Sequence, residues 1–433
     1  MTLIKRAQLR IKRDFTRMIK MKLNPIVIGI CGIYASTFNH AAALDQSGQS
    51  ILPFLENGNY VEANATAVDP DISGKIRNRP ELTNDSQNLR SGNMGNSFQY
   101  YNAALKLQLS DRISFGLLYD QPFMADIAYP IQSNNTFSDN QFTQQGTSVN
   151  VDTESISMIL GMSPFNHFQL YGGAVYQSVK GDVALRGNSY GEAFNGYDAK
   201  FKQDHAVGWL AGLSYQIPEI ALKAAVTYRS KIDHEMQVTE TMLGEPITFT
   251  TANKTKITTP QSVNLDFQTG VYKDTLAYAN IRWVNWKDFH IRPTQFGAIT
   301  EYLTGLISEG SYTGGFDLDS YQKDQWSMNL GLGHQFTEKW SASTEVSWDS
   351  GTGNPASTLN PTKGAWGIGL GVQFNPAPNY FIAGGVKYFW LGNVVAEDGT
   401  YYLPVDGVKA LAEQADFKDN HAVGYGLKIG YRF

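Results

Sequence analysis

The last twelve residues, Ala422 to Phe433, alternate without interruption. Val423, Tyr425, Leu427, Ile429, Tyr431 and Phe433 are apolar, while Gly424, Gly426, Lys428, Gly430 and Arg432 between them are tiny or cationic. A period of two sends such sets to opposite faces of an extended strand. The same rhythm recurs in Trp326, Met328, Leu330 and Leu332, in Trp340, Ala342, Thr344, Val346 and Trp348, in Trp366, Ile368, Leu370, Val372 and Phe374, and in Val207, Trp209, Ala211, Leu213 and Tyr215. The intervening positions are mostly Gly, Ser, Asn and Gln. A water-soluble sandwich would turn polar faces outward, so greasy faces in this number require lipid, and lipid requires a sheet closed on itself with no unpaired edge.

Fourteen such strands are predicted, at about 58–68, 96–109, 112–122, 153–163, 168–180, 205–217, 219–230, 261–272, 274–286, 325–336, 339–348, 364–374, 380–390 and 422–433. Each is long enough to cross a hydrocarbon core, which takes roughly 9 to 11 tilted residues. The links between them alternate in length. Short ones fall at Ser110-Asp111, Pro164 to His167, Pro218, Lys273, Thr337-Glu338 and Asn375 to Asn379, and long ones at 69–95, 123–152, 181–204, 231–260, 287–324, 349–363 and 391–421. This sorting places both termini at a short-turn, periplasmic rim of an all-β, transmembrane, antiparallel up-and-down barrel. A closing strand that ends on an aromatic residue, here Phe433, is what outer-membrane barrels offer to their insertion machinery.

Composition agrees, with 23 Tyr, 23 Phe, 8 Trp and 41 Gly. No apolar run of roughly 18 residues lies in the body of the chain to cross as a helix. Residues 1–43 read as an export signal: Arg17, Lys20 and Lys22 precede an apolar core from Pro25 to Phe38, and Ala41-Ala42-Ala43 suits signal peptidase. A start at Met18 or Met21 would give this leader an ordinary length, and a mitochondrial presequence is the rival reading. The leader holds eight cations against Asp14 in a chain of net charge −5, so the mature part is acidic and no nucleic-acid partner is expected. Cys31, the one cysteine, falls in the leader and leaves no thiol or disulfide chemistry in the mature chain. Residues 44–57 are then either a short plug entering the lumen or a frayed terminus, and 58–433 form the barrel. Short helices are expected in two long loops, around Ala298 to Ser308 and Val405 to Gln414.

The mature histidines, His167, His205, His234, His290, His334 and His421, show no metal-ligand spacing, and neither metal nor other cofactor is implied. His234 beside Asp233 and Glu235 is the one cluster that hints at a lipid-acting enzyme. The inward faces carry scattered cations among small residues: Lys106, Lys223, Arg229, Arg282, Lys387, Lys428 and Arg432. They suit an amphiphile with one carboxylate, or they brace the lumen against Asp266, Glu345 and Asp349. Arg229, Lys223, Arg282 and Lys106 are the carboxylate-binding candidates. Pro122 lacks the N–H that a ladder uses, so it either ends the third strand or, if the strand runs on toward Ile127, bends the wall and opens a slot.

Asp69-Pro70-Asp71-Ile72-Ser73-Gly74, HAVGWLAGLSYQIP at 205–218, TYRSKIDH at 227–234 and VNWKDF at 284–289 together resemble the outer-membrane transporters of long-chain fatty acids and aromatic hydrocarbons, the FadL family. The resemblance covers Gly58 to the C-terminus. It implies a fourteen-stranded monomeric barrel with an N-terminal hatch, in which hydrophobic cargo enters from extracellular loops, pauses in a pocket and leaves sideways through a kink in the third strand, where Pro122 falls. The family's hatch is longer and carries an Asn-Pro-Ala motif absent here. The function implied is passive uptake of long-chain fatty acids across a Gram-negative outer membrane. An aromatic or alkane channel is the alternative in the same fold, and a general porin or a lipid-acting enzyme the alternative of another class.

Overall fold

Each alternating run takes its neighbour in sequence as its neighbour in space. The computed structural model describes residues 44–77, 90–131, 137–139, 143–188, 190, 192–251, 254–399 and 414–433. The leader lies outside them, as does almost all of the helix expected over Val405 to Gln414, where the described chain resumes as a strand at Gln414–Phe417. The wall consists of β1 (Tyr60–Asp71), β2 (Phe98–Gln108), β3 (Ile113–Asp120, then Met124–Ala128), β4 (Ser148–Phe165), β5 (Phe168–Leu185), β6 (Tyr197–Ile217) and β7 (Leu222–Arg229, then Ile232–Met242). It continues through β8 (Lys254–Thr259, then Ser262–Tyr272), β9 (Thr275–Val284), β10 (Gln325–Gln335), β11 (Trp340–Asp349), β12 (Ala365–Ala377), β13 (Tyr380–Leu391) and β14 (His421–Arg432). Every consecutive pair is antiparallel, and β1 closes the ring on β14 from Tyr60↔Arg432 to Asp71↔His421. The fourteen strands expected are the fourteen found.

The pleat decides what faces lipid. Trp366, Ile368, Leu370 and Val372 of β12 and Tyr425, Leu427, Ile429 and Tyr431 of β14 are all exposed, while Lys428 between them is wholly buried in the lumen. Aromatic pairs mark two belts, Trp209 with Tyr228 and Tyr388 with Trp390 toward the loop rim, Trp340 with Phe374 and Tyr431 with Phe433 at the turn rim. Phe433 N–H donates to Asn59 O at 3.2 Å, so the C-terminus and the start of β1 share the short-turn rim.

Five strands, β4 to β8, run further than expected. β4 and β5 have 18 residues each and β6 has 21. At roughly 3.3 Å per residue, even a tilted strand of that length outruns a hydrocarbon core of roughly 30 Å. Segments read from sequence as loops, at 181–204 and 231–260, are therefore partly wall above the membrane. Their outward residues Lys231, Asp233, Glu235 and Gln237 are polar because they meet water, which hid the strand from an apolar-face criterion.

Loops roof the barrel. A helix, α1 (Thr294–Ile307), buries Phe296, Thr300 and Thr304 against it. Glu240 of β7 caps that helix, accepting the N–H groups of Gln295 and Phe296 at 2.8 and 2.7 Å, where the N-terminal donors have no helical partner. A small sheet of Gly74–Ile76, Gln414–Phe417, Val394–Glu397 and Ala356–Ser357 covers the other side.

Candidate functional site

Residues 44–56 are buried or half-buried against inward-facing residues of the wall. Ile51, Phe54 and Leu55 are buried among Ala104, Leu118, Ile159, Tyr171 and Leu210 of the wall. Phe54 enters because Gly116 and Gly161 face it: a Cβ at either would lie 2.4 or 2.8 Å from its ring. Ahead of this anchor, Leu44 to Gln46 lie along β3 through a single bridge at Asp45, and behind it Glu56 sits near the periplasmic rim.

The inward cations converge on this plug. Arg282, almost fully buried, donates from Nε to Asp45 Oδ2 at 2.6 Å and from its Nη groups to Asn264 Oδ1, Ser262 Oγ and Gln49 Oε1 at 2.7, 3.2 and 3.0 Å. Lys223 Nζ meets Glu56 Oε1 at 3.1 Å, and Arg432 meets Glu56 Oε2 at 2.9 Å. Burial by itself would raise the Glu56 carboxyl, but the charges of Lys223 and Arg432 outweigh it and hold it at about 2. Lys106 Nζ donates to Gly58 O at 2.7 Å and to Gln108 Oε1. Arg229 donates to Gln49 O at 3.2 Å and Ser157 Oγ at 3.3 Å, with its Nε lacking a hydrogen-bond partner among the described residues. Lys387 pairs with Glu345 and Lys428 with Glu62. In this state the cations pair with nearby strands or with the plug, which supplies Asp45 and Glu56; of the three acids expected as braces, Glu345 takes Lys387, while Asp266 accepts from Asn280 and Asp349 from Gln325.

Above the plug lies an apolar cavity, with about 740 Å³ of space between its lining side chains, part of it open to solvent. Leu44 and Phe123 form the floor. Val149 and Val151 of β4, Val179 and Val183 of β5, Phe201 of β6, Met236 of β7 and Ile257 of β8 form the wall, and Trp286, Phe289, Leu318 and Leu359 the roof. Trp286 belongs to the VNWKDF stretch and donates its indole N–H to Gln325 Oε1 at 2.7 Å, which fixes its ring edge-on to Phe123. None of Arg229, Lys223, Arg282 and Lys106 lines this cavity. Its one cation among the described residues is Lys180, paired with Asp152 at 3.3 Å. Asp319 also reaches it. Burial pushes that carboxyl up to about 7, and its Oδ1 has no hydrogen-bond partner among the described residues.

The third strand does not end at Pro122. It breaks over Gln121 to Phe123 and resumes with one extra residue relative to β4, since Asp120 faces Ser155 but Met124 faces Asp152. The plug's leading segment patches the break: Gln46 N–H donates to Pro122 O and Met124 N–H to Leu44 O, both at 2.9 Å, around an Asp45↔Phe123 bridge. Thr153 Oγ takes the Phe123 N–H at 2.8 Å. Toward β2 the ladder runs only from Gln108↔Ser114 to Ala103↔Tyr119, so Phe98 to Asn102 have no ladder partner on β3 until a bridge at Gly95↔Ile127. A second pocket, lined by Gln46, Phe98, Met124, Ala125 and Ile127, lies behind this gap. The segment Leu44 to Gln46 separates the two pockets, with Leu44 lining the first and Gln46 the second.

His234 does not use its sequence neighbours. Asp233 and Glu235 point outward, to Lys256 at 2.8 Å and Lys254 at 3.6 Å, while the fully buried imidazole meets Asp204 Oδ2 at 3.0 Å and Gln177 Oε1 at 3.2 Å. Sequence reasoning passed over Leu44, Asp45, Gln49 and the roof residues. Only Trp286 carried a signal there, in the VNWKDF stretch of the resemblance, although the predicted strand 274–286 took it as wall and β9 in fact ends at Val284.

Compared by sequence alone, the chain matches no family model and no curated protein. Its fold is that of several solved structures. It is similar to a Pseudomonas aeruginosa FadL homologue at 13% identity, with a TM-score of 0.65 over 91% of this chain and 96% of that one. The Ralstonia pickettii toluene transporter TbuX gives 13% identity and a TM-score of 0.53 over 93% and 99% of the two chains. The P. putida toluene transporter TodX gives 12% and 0.57 over 88% and 92%.

Proposed function

We propose that this chain is a FadL-type channel of a Gram-negative outer membrane, monomeric and not an enzyme, through which uncharged hydrophobic molecules pass passively. The observation that carries this reading is the composition of the cavity: it is walled by aliphatic and aromatic side chains and floored by the plug segment that patches the broken β3. Cargo gains roughly 0.8 kcal/mol for each CH₂ taken out of water, and no other source of energy is needed to fill such a site. Release follows if Leu44 to Gln46 withdraws, because the cavity floor and the pocket behind the β2–β3 gap then become one space beside Pro122. The named roles of TbuX and TodX in toluene transport support the same class of cargo. Phe433 and the lipid-facing belts serve insertion and residence in the membrane.

Long-chain fatty acids are the second reading, on Lys180 at the cavity's edge, which a carboxylate would have to win from Asp152. The test is uptake by cells with an intact lipopolysaccharide leaflet. Expression is expected to speed entry of radiolabelled toluene more than of oleate. Preferential oleate entry favours the second reading, and fast swelling of proteoliposomes in small sugars would make the chain a porin instead.

A further inference from the structure

One seam of the wall, between β6 and β7, is unzipped in its middle. The ladder runs from Tyr197↔Met242 to Phe201↔Val238 and starts again at Leu210↔Arg229. Nine steps separate the flanks on both strands, so the register never slips, yet no residue from Lys202 to Trp209 pairs with β7.

The cause is a mismatch of pleat. β6 carries an extra residue at Lys202-Gln203, where its pairing with β5 jumps from Phe201↔Gly181 to Asp204↔Val179. β7 changes side lower down, at Ser230-Lys231, because Arg229 and Ile232 are both buried in the lumen. Between the two irregularities, inward residues stand opposite outward ones: Asp204 opposite Glu235, Ala206 opposite Asp233. Strands out of phase cannot form the ladder. One backbone bond, from Ser230 N–H to Trp209 O at 2.9 Å, closes the lower end of the gap, and above it side chains hold the seam, His234 to Asp204 at 3.0 Å and Lys202 to Gln237 at 3.5 Å.

Unpaired backbone is not tolerated in hydrocarbon. The Trp209 and Tyr228 rings at the lower end and the charges of Lys231, Asp233, Lys254 and Lys256 beside it place this stretch at the headgroup level of the outer leaflet. Directly inside it lie Phe201 and Met236, one on each lip, and both line the apolar cavity.

We propose that the β6–β7 seam is a side entrance, latched by His234 and Asp204, through which hydrophobic cargo held in the outer leaflet reaches the cavity without crossing the roof. This rests on the transport reading above. Deleting Gln203 removes the extra residue, which restores β6 to step with β5 and brings Asp204 opposite Met236 with both facing inward. The zipped variant is expected to assemble as a heat-modifiable barrel and to lose most of its toluene uptake. Should the deletion not assemble, Asp204→Cys with His234→Cys, in a mature chain otherwise free of cysteine, lets a short bifunctional thiol reagent close the seam of a barrel already folded. Uptake should fall on bridging and return when the bridge is reduced. Unchanged uptake in either closed form overturns the entrance while leaving the transport reading intact. If the unmodified chain speeds neither toluene nor oleate, the transport reading fails and the entrance with it.

Discussion

Removing the Asp45 carboxylate strands the Arg282 guanidinium inside the barrel. Asp45→Ala deletes the counterion of a cation whose side chain is 1% exposed. Breaking one side of a buried pair costs about 3 to 5 kcal/mol, and the lower end applies here because Ser262, Asn264 and Gln49 still hydrogen-bond the guanidinium. The barrel wall does not depend on this pair, so the cost falls on plug docking. At roughly 1.4 kcal/mol per tenfold, 3 kcal/mol raises the undocked population by about two orders of magnitude. Hydrogen exchange at Leu44 to Gln49 reads this directly, and sugar-driven swelling of proteoliposomes reads the leak. The double variant Asp45→Ala with Arg282→Met removes both charges and should regain most of the protection, because a buried pair replaced by apolar groups is close to neutral. Wild-type exchange in Asp45→Ala, or a double variant no better protected than the single one, would refute the view that this pair holds the plug.

Other consequences can be checked separately. Replacing Pro122 by Val restores an N–H to the broken stretch of β3 and should slow cargo release without harming heat-modifiable assembly; normal release would mean the break does not serve as an exit. Glu56, held at about 2 in the folded barrel, contributes plug stability that is fully present above its ordinary value near 4.5 and is lost as pH falls from there toward 2. Swelling in sugars should therefore rise over that window, and Glu56→Gln should swell at neutral pH with little acid dependence. Asp319 has the opposite sign: its carboxyl is raised to about 7 by burial, so its ionisation weakens the roof progressively from near pH 4 to 7. Asp319→Asn should raise the thermal midpoint most at pH 8 and hardly at pH 4, as measured by tyrosine fluorescence on heating.

How far the sequence could be read depended on whether a feature is local. The inward placement of Lys106, Lys223, Arg229 and Arg282 was legible because facing is set by parity along one strand. Their partners were not, since Asp45 meets Arg282 across 237 positions of chain. The upper halves of β6, β7 and β8 went unread because water there permits polar outward faces. Pro122 announced a break, but whether the strand resumed depended on Thr153 and the plug supplying the lost bonds.

By itself the sequence determined an extended, lipid-facing wall of fourteen strands with both termini at one rim, because a period of two acts residue by residue and lipid admits no open edge. Tertiary structure alone decided that the cations clamp a plug, that the cavity above them is apolar, and that two seams stay partly unzipped. Those depend on stagger between strands and on closure of the ring, and no strand encodes either on its own.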